Sequence, residues 1–348
     1  YYSNIVSIPN PNLSWERTHS WDWGLDIRLF DRVNVVLDYY SRKSNAVISQ
    51  SIPYLNGKSE MDINGGILYN RGYEVTVSFN PVNKKDFGLN VSINASKNKN
   101  KGGETPFEAT YSNYLTGIST SVLKKGYPVS GFWSYSFAGL DPENGAPLFN
   151  NMDVDKETAK SDPTTVLVYS GSSEPDFTGG LNLGIRYKSV TLSSSFALLL
   201  GGYKRLSNPY SKFPNGVRLP EASVNLSREL LKRWQKTGDE KHTDIPALLT
   251  GGYTMETPFE GAANIITALY KNSDALVVSS SFLRCRNLSL NWQMSKTLTE
   301  RLRLSSFNVS ASVSNLFVVA SKRYHGFDPE LTESVMPKSY TLSLSVGF

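Results

Sequence analysis

The chain has 348 residues, of which 39% are hydrophobic and 19% are charged, and its formal net charge is +5. No apolar run approaches the roughly 20 residues that a membrane-spanning helix needs, so the sequence excludes such a helix. Cys285 is the only cysteine, which excludes an internal disulfide and a cysteine-based metal cluster, and the dispersed Lys and Arg residues argue against nucleic-acid binding.

Alternating apolar and polar residues predict β-strands from the start of the chain. Residues 18–30 place Trp21 and Trp23 on one face, and residues 32–49 continue the alternation after a short turn at Asp31. The same design recurs to the end of the chain. Eleven strands are predicted, at residues 18–30, 32–49, 67–80, 86–98, 113–124, 130–139, 177–188, 190–203, 281–294, 304–318 and 338–348.

Short turns and long polar connections alternate between these strands. The predicted long connections are rich in Gly, Pro, Asn and Asp, and they cover residues 51–66, 99–112, 140–176, 204–280 and 320–337. Bacterial outer-membrane barrels have short periplasmic turns at one rim and long extracellular loops at the other. The pattern therefore favours an all-β, antiparallel transmembrane β-barrel with long extracellular loops.

The last strand shows which environment each face meets. Tyr340, Leu342 and Phe348 share one face, while the face that includes Ser343 is small and polar. Across the chain the polar faces carry mostly Ser, Asn, Thr and Gly, which suits a hydrated barrel interior, and aromatic residues gather near strand ends as membrane girdles do. A soluble β-sandwich remains the alternative that this alternation also allows.

The predicted strand count suggests an incomplete barrel. Single-chain bacterial barrels close with an even number of strands, whereas eleven is odd. The chain begins at Tyr1, with neither an initiator methionine nor a signal peptide. We therefore expect a fragment or a processed product of a larger barrel.

Several segments, in chain order, resemble the carboxy-terminal part of the SusC-like (RagA-like) TonB-dependent outer-membrane transporters of Bacteroidetes. Each segment alone is a weak signal, but together they extend over essentially the whole chain. They are residues 10–16, 24–26, 38–40, 70–74 (Asn-Arg-Gly-Tyr-Glu), 126–128, 139–145 (Gly-Leu-Asp-Pro-Glu-Asn-Gly), 233–239 (Arg-Trp-Gln-Lys-Thr-Gly-Asp), 244–246, 282–284, 287–290, 314–317, 326–330 and the terminal strand.

This resemblance implies a 22-stranded barrel in the outer membrane, to which residues 1–348 contribute about the last 11 strands as part of a single barrel domain. It implies a plug and a TonB-contacting segment that are absent from this chain, and a SusD-like lipoprotein that acts as a lid. The implied function is TonB-dependent import of glycans or oligopeptides. The lipid bilayer and the remainder of the transporter are the other implied partners.

Two acidic clusters are candidate calcium sites. Asp141 and Glu143 precede Asn-Gly, and Asp153 and Asp155 lie at alternate positions. Calcium prefers such oxygen ligands, but the second cluster lacks the Gly and the distal Glu of an EF-hand loop. Solvated acidic loops without metal are the alternative, and no other cofactor is expected.

Arg233 and Trp234 are candidates for contact with substrate or lid, because a tryptophan beside a cation suits sugar or peptide recognition. The competing interpretation is that Trp234 packs the long loop onto itself. A short helix over Leu226 to Gln235 would place Leu226, Leu230, Leu231 and Trp234 on one side.

Two further roles follow from the resemblance. Residues 51–66 would form part of the hinge to the lid, or be an ordinary surface loop. The terminal Phe348 would be an assembly signal for the barrel-insertion machinery, in addition to a membrane-interface aromatic.

No catalytic constellation is visible in the sequence. The histidines lack a Gly-rich nucleophile turn or a fixed carboxylate partner, so we expect no enzyme. The alternatives to a transporter are a soluble β-rich carbohydrate-binding or adhesion protein and, less directly, a polysaccharide-cleaving enzyme with paired carboxylates.

Overall fold

A computed structural model of the chain describes residues 9–51, 60–105, 109–116, 123–213, 222–249, 254–259, 266–331 and 334–348. Nine long strands form one antiparallel sheet in the order β1-β2-β3-β4-β9-β10-β13-β14-β15. They are β1 Arg17–Leu29, β2 Val33–Ser51, β3 Glu60–Asn83, β4 Phe87–Gly102, β9 Phe177–Tyr187, β10 Val190–Leu200, β13 Phe282–Gln293, β14 Ser306–Ala320 and β15 Ser339–Gly347.

The remaining elements are short and lie in the connections. The strands are β5 Gly131–Tyr135, β6 Phe137–Leu140, β7 Pro147–Phe149, β8 Leu167–Ser172, β11 Tyr203–Arg205 and β12 Val277–Ser279. The α-helices are α1 Tyr111–Thr116, α2 Lys156–Ser161, α3 Ile266–Lys271 and α4 Lys296–Arg301. Single 3₁₀ turns cover Pro163–Thr165, Arg228–Lys232, Asp239–Lys241, Asp274–Leu276 and Lys322–Tyr324. None of the described helices has the length and apolar character needed to cross a membrane.

One face of the sheet is apolar across its whole width. Because side chains alternate between faces, residues that pair across strands share a face. Many of these side chains are exposed, including Trp21 at 71% and Leu342 at 78%, so this face has no partner within the described chain. One lateral row of paired residues consists of Leu25, Leu37, Val75, Ala95, Gly179, Leu198, Leu283 and Val319.

The opposite face is mainly polar, although Leu199 and Phe282 lie on it near the cap end. It consists mostly of small hydroxyl and amide side chains with some charged residues, as the sequence led us to expect. The pairing register shifts between Ser195 and Phe196 and between Cys285 and Asn287, and beyond these irregularities Leu198, Leu283 and Val319 still share the apolar face. One lateral row consists of Arg28, Asn34, Ser78, Ser92, Asn182, Ser195, Asn287, Ser314 and Ser339.

Nine of the eleven predicted strands lie in the main sheet, and two predictions are wrong in detail. Residues 113–124 do not form a wall strand: Tyr111–Thr116 is α1, and residues 117–122 lie outside the described chain. Residues 130–139 do contain extended chain, but β5 and β6 pair with β8 and β7 outside the main sheet. Tyr114 and Leu115 of the first segment and Trp133 and Tyr135 of the second belong to one buried core, and periodicity alone does not distinguish such a core from a wall strand.

Tight turns lie at one end of the sheet and long connections at the other. β1–β2, β3–β4 and β9–β10 are joined by two or three residues, and β13–β14 by a connection that contains α4. At the opposite end, residues 103–176, 201–281 and 321–338 connect the strands. Within the predicted loop 51–66, the described residues are strand, because β2 ends at Ser51 and β3 begins at Glu60; residues 52–59 lie outside the described chain.

The sheet is open within the described residues. β1 and β15 each pair with a single neighbour and do not pair with each other. The unpaired backbone groups of these two edge strands can therefore pair with further strands from outside the described residues.

Candidate functional site

The long connections fold into an ordered unit at one end of the sheet, which we call the cap: the described parts of residues 103–176, 201–281 and 321–338. The first two segments share one hydrophobic core, in which Trp133, Tyr135 and Tyr270 are 1% to 2% exposed. The rings of Tyr114 and Trp133 meet edge to face at 4.8 Å, and those of Tyr111 and Phe259 stack at 4.6 Å. Aromatic burial of this extent makes the cap a folded unit.

Arg205 at the end of β11 ties the two segments of the core together. Its guanidinium donates to the carbonyls of Leu115 and Trp133, each at 3.0 Å, to Ser134 Oγ at 2.8 Å and to Asn272 Oδ1 at 3.3 Å. Burial lowers the pKa of Arg205 to about 10, so the group stays charged at neutral pH. Its role in this position is structural.

Trp234 packs on Gly145 inside the cap. A Cβ atom on Gly145 would lie 2.4 Å from the indole, and Gly145 has a φ of +69°, so no other residue fits there without strain. The backbone N–H of Trp234 donates to Ile245 O at 2.9 Å, and that of Ala247 donates to Gly145 O. Three of the segments that carry the family resemblance thus meet at one point.

The predicted helix over residues 226–235 is a 3₁₀ turn at Arg228–Lys232. Its leucines do not share one side: Leu230 is buried at 7%, whereas Leu231 is 73% exposed. Leu230 packs with Tyr210 and Phe213 in a second small core, and Tyr210 Oη donates to Pro246 O at 2.6 Å. The tighter 3₁₀ repeat rotates successive residues differently from an α-helix, which separates the leucines.

A buried ion pair joins the last connection to the wall. The guanidinium of Arg284 in β13 donates to both carboxylate oxygens of Asp328, at 2.7 and 2.8 Å, and it lies 2.8 Å from Glu330. Both Arg284 and Asp328 are about 3% exposed at the side chain. Both residues lie in segments that carry the family resemblance. The sequence did not predict their pairing, because 44 residues separate the partners.

Two of the four acidic calcium candidates, Asp141 and Asp155, stabilise local structure through their carboxylates. Asp141 accepts hydrogen bonds from the N–H of Glu143 at 2.8 Å and from the side chain of Asn144 at 3.1 Å. Asp155 caps α2 by accepting from Thr158 N, and Asp153 lies in the turn just before it. Among the described residues, no group of three or more His, Cys, Asp and Glu side chains could hold a metal ion.

A polar recess of about 480 Å³ lies on the polar face across β1, β2 and β3. Three carboxylates and one guanidinium line it: Asp22, Asp38, Glu74 and Arg42. Arg42 pairs with Asp22 at 3.4 Å, and the side chain of Tyr40 lies over Gly72. This recess can hold a polar solute of modest size on the face that meets water.

The structure places the remaining predicted site residues without joining them into one site. Arg233 donates to Leu230 O at 3.1 Å, and Trp234 Nε1 lies 3.4 Å from Glu240 Oε2. Phe348 follows β15 at the far end of the sheet from the cap and is 95% exposed. Contact of Arg233 and Trp234 with substrate or lid, and a role for Phe348 in assembly, both stay predictions.

The chain is similar over nearly its whole length to TonB-dependent receptors, although no protein-family model matches it. It is 27% identical to TonB-dependent receptor SusC of Bacteroides thetaiotaomicron, covering 99% of this chain and 33% of that protein. It is 25% identical to TonB-dependent receptor P3 of Formosa agariphila, covering 94% of this chain and 32% of that protein. The chain therefore spans about a third of the length of these relatives.

The fold is that of part of a TonB-dependent transporter barrel. The structure of the RagAB peptide transporter superposes with a TM-score of 0.73, at 24% identity, over 99% of this chain and 37% of that chain. The RagAB peptide importer in its open-open state gives a TM-score of 0.70. These matches confirm the predicted RagA-like, all-β barrel architecture.

Proposed function

We propose that this chain, a relative of SusC-like TonB-dependent receptors, forms the carboxy-terminal barrel wall and extracellular cap of an outer-membrane nutrient importer of SusCD type. The observation that carries the proposal is the pairing of one unbroken apolar row with one unbroken polar row across the sheet. Such a sheet separates lipid from water. The sequence relationship to receptors of this class supports the same interpretation.

In this proposal the apolar face contacts lipid, the polar face lines the channel, and the cap faces the cell exterior. The remaining barrel strands, the plug and the TonB-contacting segment belong to other parts of the transporter. A SusD-like lipoprotein covers the cap as a lid. The cargo is a glycan or an oligopeptide, which the hydroxyl, amide and carboxylate groups of the polar face can hydrogen-bond.

The proposal is tested on the complete transporter that carries this chain. We expect it to fractionate with the outer membrane, to need detergent for solubility, and to co-purify with a lipoprotein. Uptake of labelled oligopeptide and oligosaccharide mixtures should stop when TonB is deleted, and the mixture that is taken up identifies the cargo. A transporter that is monodisperse without detergent would reject the membrane assignment in favour of a soluble carbohydrate-binding or adhesion protein.

The cap supplies a matched pair of variants for this test. Leu231→Asn changes an exposed cap residue and should leave uptake unchanged unless the lid or cargo contacts it. Leu230→Asn changes the buried neighbour and should unfold the small core with Tyr210 and Phe213. Equal uptake by both variants would show that the cap does not take part in import.

A further inference from the structure

A cluster of five cations lies on the apolar face of the sheet at its cap end. We call it the basic patch: Lys43, Arg71, Lys97, Lys99 and Lys101. Lys97, Lys99 and Lys101 alternate along β4 and so point to one side. Strand pairing places Arg71 beside Lys99, and Tyr69 between Lys43 and Lys101.

The direction of these side chains is fixed by their neighbours. The ammonium of Lys43 lies 5.8 Å from the centre of the Tyr69 ring, and the rings of Tyr39 and Tyr73 meet at 5.0 Å on the same face. Gly72, between Arg71 and Tyr73, instead faces Tyr40 on the polar side. The basic patch therefore lies on the lipid side of the wall.

The charge of the patch is uncompensated within the described chain. All five residues are exposed, and none of them forms an ion pair with a described carboxylate. Glu104, just beyond β4, is already paired with Lys125 at 2.7 Å. Five like charges on one surface repel each other and attract an anion.

An apolar groove adjoins the patch on the side away from the cap. Its volume is about 460 Å³. It runs between two lateral rows of paired residues on the apolar face, an aromatic row that begins at Trp23 and an aliphatic row that begins at Leu25. Aromatic rings at this height mark the boundary of the hydrocarbon layer, and cations just beyond them lie at the level of lipid headgroups. The residues whose side chains line the groove on this face are Trp23, Leu25, Leu37, Tyr39, Tyr73 and Val75.

The patch is confined to one sector of the wall. Lys97 pairs with Phe177 of β9, which in turn pairs with Leu200 of β10, so the neighbouring strands carry apolar residues at this level. On β13 and β14 the apolar face stays apolar to the strand ends, with Leu283 paired to Val319. The cations are therefore not a general feature of this rim.

We propose that the basic patch and the adjoining groove bind a phosphorylated glycolipid of the outer leaflet, of the lipid A type. The phosphate groups contact the five cations, and an acyl chain lies along the groove. The proposal rests on the outer-membrane location proposed above, since only there does an anionic glycolipid meet this face at the cap end. Cations near an anionic lipid surface each strengthen binding about fivefold.

The test uses the complete transporter in detergent, titrated with monophosphorylated lipid A and monitored by native mass spectrometry. The variant K97Q/K99Q/K101Q should bind lipid A on the order of 100-fold more weakly than the wild type, from about fivefold for each of three charges. The matched control K84Q/K85Q/K188Q removes three exposed lysines at the tight-turn end and should bind like the wild type. Both variants should reach the outer membrane at wild-type levels.

Several outcomes would overturn the proposal. Equal lipid A affinity of the two triple variants would show that the basic patch does not take part in binding. Equal affinity for dephosphorylated lipid A would show that the phosphate groups do not contact the patch. Equal affinity for phosphatidylglycerol would show that the patch binds anionic lipids in general. Because binding is measured in detergent, normal uptake combined with any of these results rejects this inference and leaves the proposed function intact. A transporter that is soluble without detergent would reject both.

Discussion

Arg284 and Asp328 bring opposite charges into the junction between the cap and the sheet. Both side chains are almost fully buried, so each depends on the other for compensation. Glu330 adds a second carboxylate at the more exposed side. This pair fixes the connection between β14 and β15 to the wall, and Arg323 joins the same connection to the second cap segment by donating to the carbonyls of Val277 and Ala275.

Breaking this pair should be costly. Asp328→Ala leaves the more exposed Glu330 as the remaining carboxylate beside the buried guanidinium, and we expect the free energy of unfolding to fall by about 3 kcal/mol, the lower end of the range for a broken buried pair. Glu229→Ala, which removes partly exposed contacts with Lys232 and His325, should cost about 1 kcal/mol. Chemical unfolding of the transporter in detergent measures both values, and similar losses for the two variants would contradict the role assigned to Asp328.

Two substitutions at Trp234 distinguish a packing role of this residue from contact with substrate. Trp234→Ala should open the contact with Gly145 and cost about 2 kcal/mol in the stability of the cap, less than the loss of a fully buried tryptophan, because Trp234 is partly exposed. Trp234→Phe keeps most of that contact and should preserve protease resistance. If Trp234→Phe nevertheless lowers uptake more than twofold, the indole contacts cargo or lid; unchanged uptake would leave it a packing residue.

The buried tyrosines of the cap make its stability sensitive to high pH. Burial, with a smaller contribution from Asp162, raises the pKa of Tyr114 to about 12, and burial raises that of Tyr210 to about 12 as well. A raised pKa stabilises the folded cap fully below pH 10, the ordinary value for tyrosine, and this contribution is lost as the pH rises from about 10 to about 12. Protease resistance and tyrosinate absorbance, followed together, should change in that window; loss of resistance below pH 9 would contradict the prediction.

At the scale of the element, strand facing decides how a substitution acts. β15 places Leu342 beside Ala311 on the apolar face and Ser343 beside Ser310 on the polar face. The two positions are adjacent in sequence and equally part of the strand. They differ in the medium that each side chain meets.

Leu342→Arg should therefore destabilise the barrel by about 2–4 kcal/mol if the position lies near the bilayer midplane. Ser343→Arg should cost far less, because its side chain points into water. Unfolding of the reconstituted transporter in lipid vesicles measures both changes. Equal losses at the two positions would reject the assigned facing.

At the scale of the whole molecule, the sheet and the cap are stabilised by different means. The apolar face of the sheet is exposed, and lipid would cover it in the function proposed above, whereas the cap buries its own aromatic core. The cap is joined to the wall through the strand ends and the Arg284 pair. This division suits a transporter wall that carries a folded extracellular unit.

Assembly of the whole transporter provides the last prediction. Phe348→Ser removes a 95% exposed aromatic residue after β15 and costs little packing. We nevertheless expect lower outer-membrane levels, because the terminal aromatic would serve as the signal for barrel insertion. Quantitative blotting of membrane fractions, with Phe348→Tyr as the conservative control, checks this; wild-type levels for Phe348→Ser would contradict it.

The sequence by itself determined the strands of the wall and their two faces. Leu342 and Ser343 alternate locally, and a period of two requires no knowledge of distant residues. The short turns were equally visible: the predicted turn at Asp31 is present, with a φ of +52° at that residue. Local chemistry was sufficient for these features.

Only the tertiary structure decided which residues meet across long stretches of chain. Asp328 pairs with Arg284, and Trp234 packs on Gly145. The helix α1 forms in a segment predicted as a strand, because burial in a shared core overrides local periodicity. The cations seemed dispersed in the sequence, yet pairing of β2, β3 and β4 gathers five of them on one face. The physical reason is that strand register, which depends on pairing along the whole sheet, fixes lateral neighbours that no local pattern specifies.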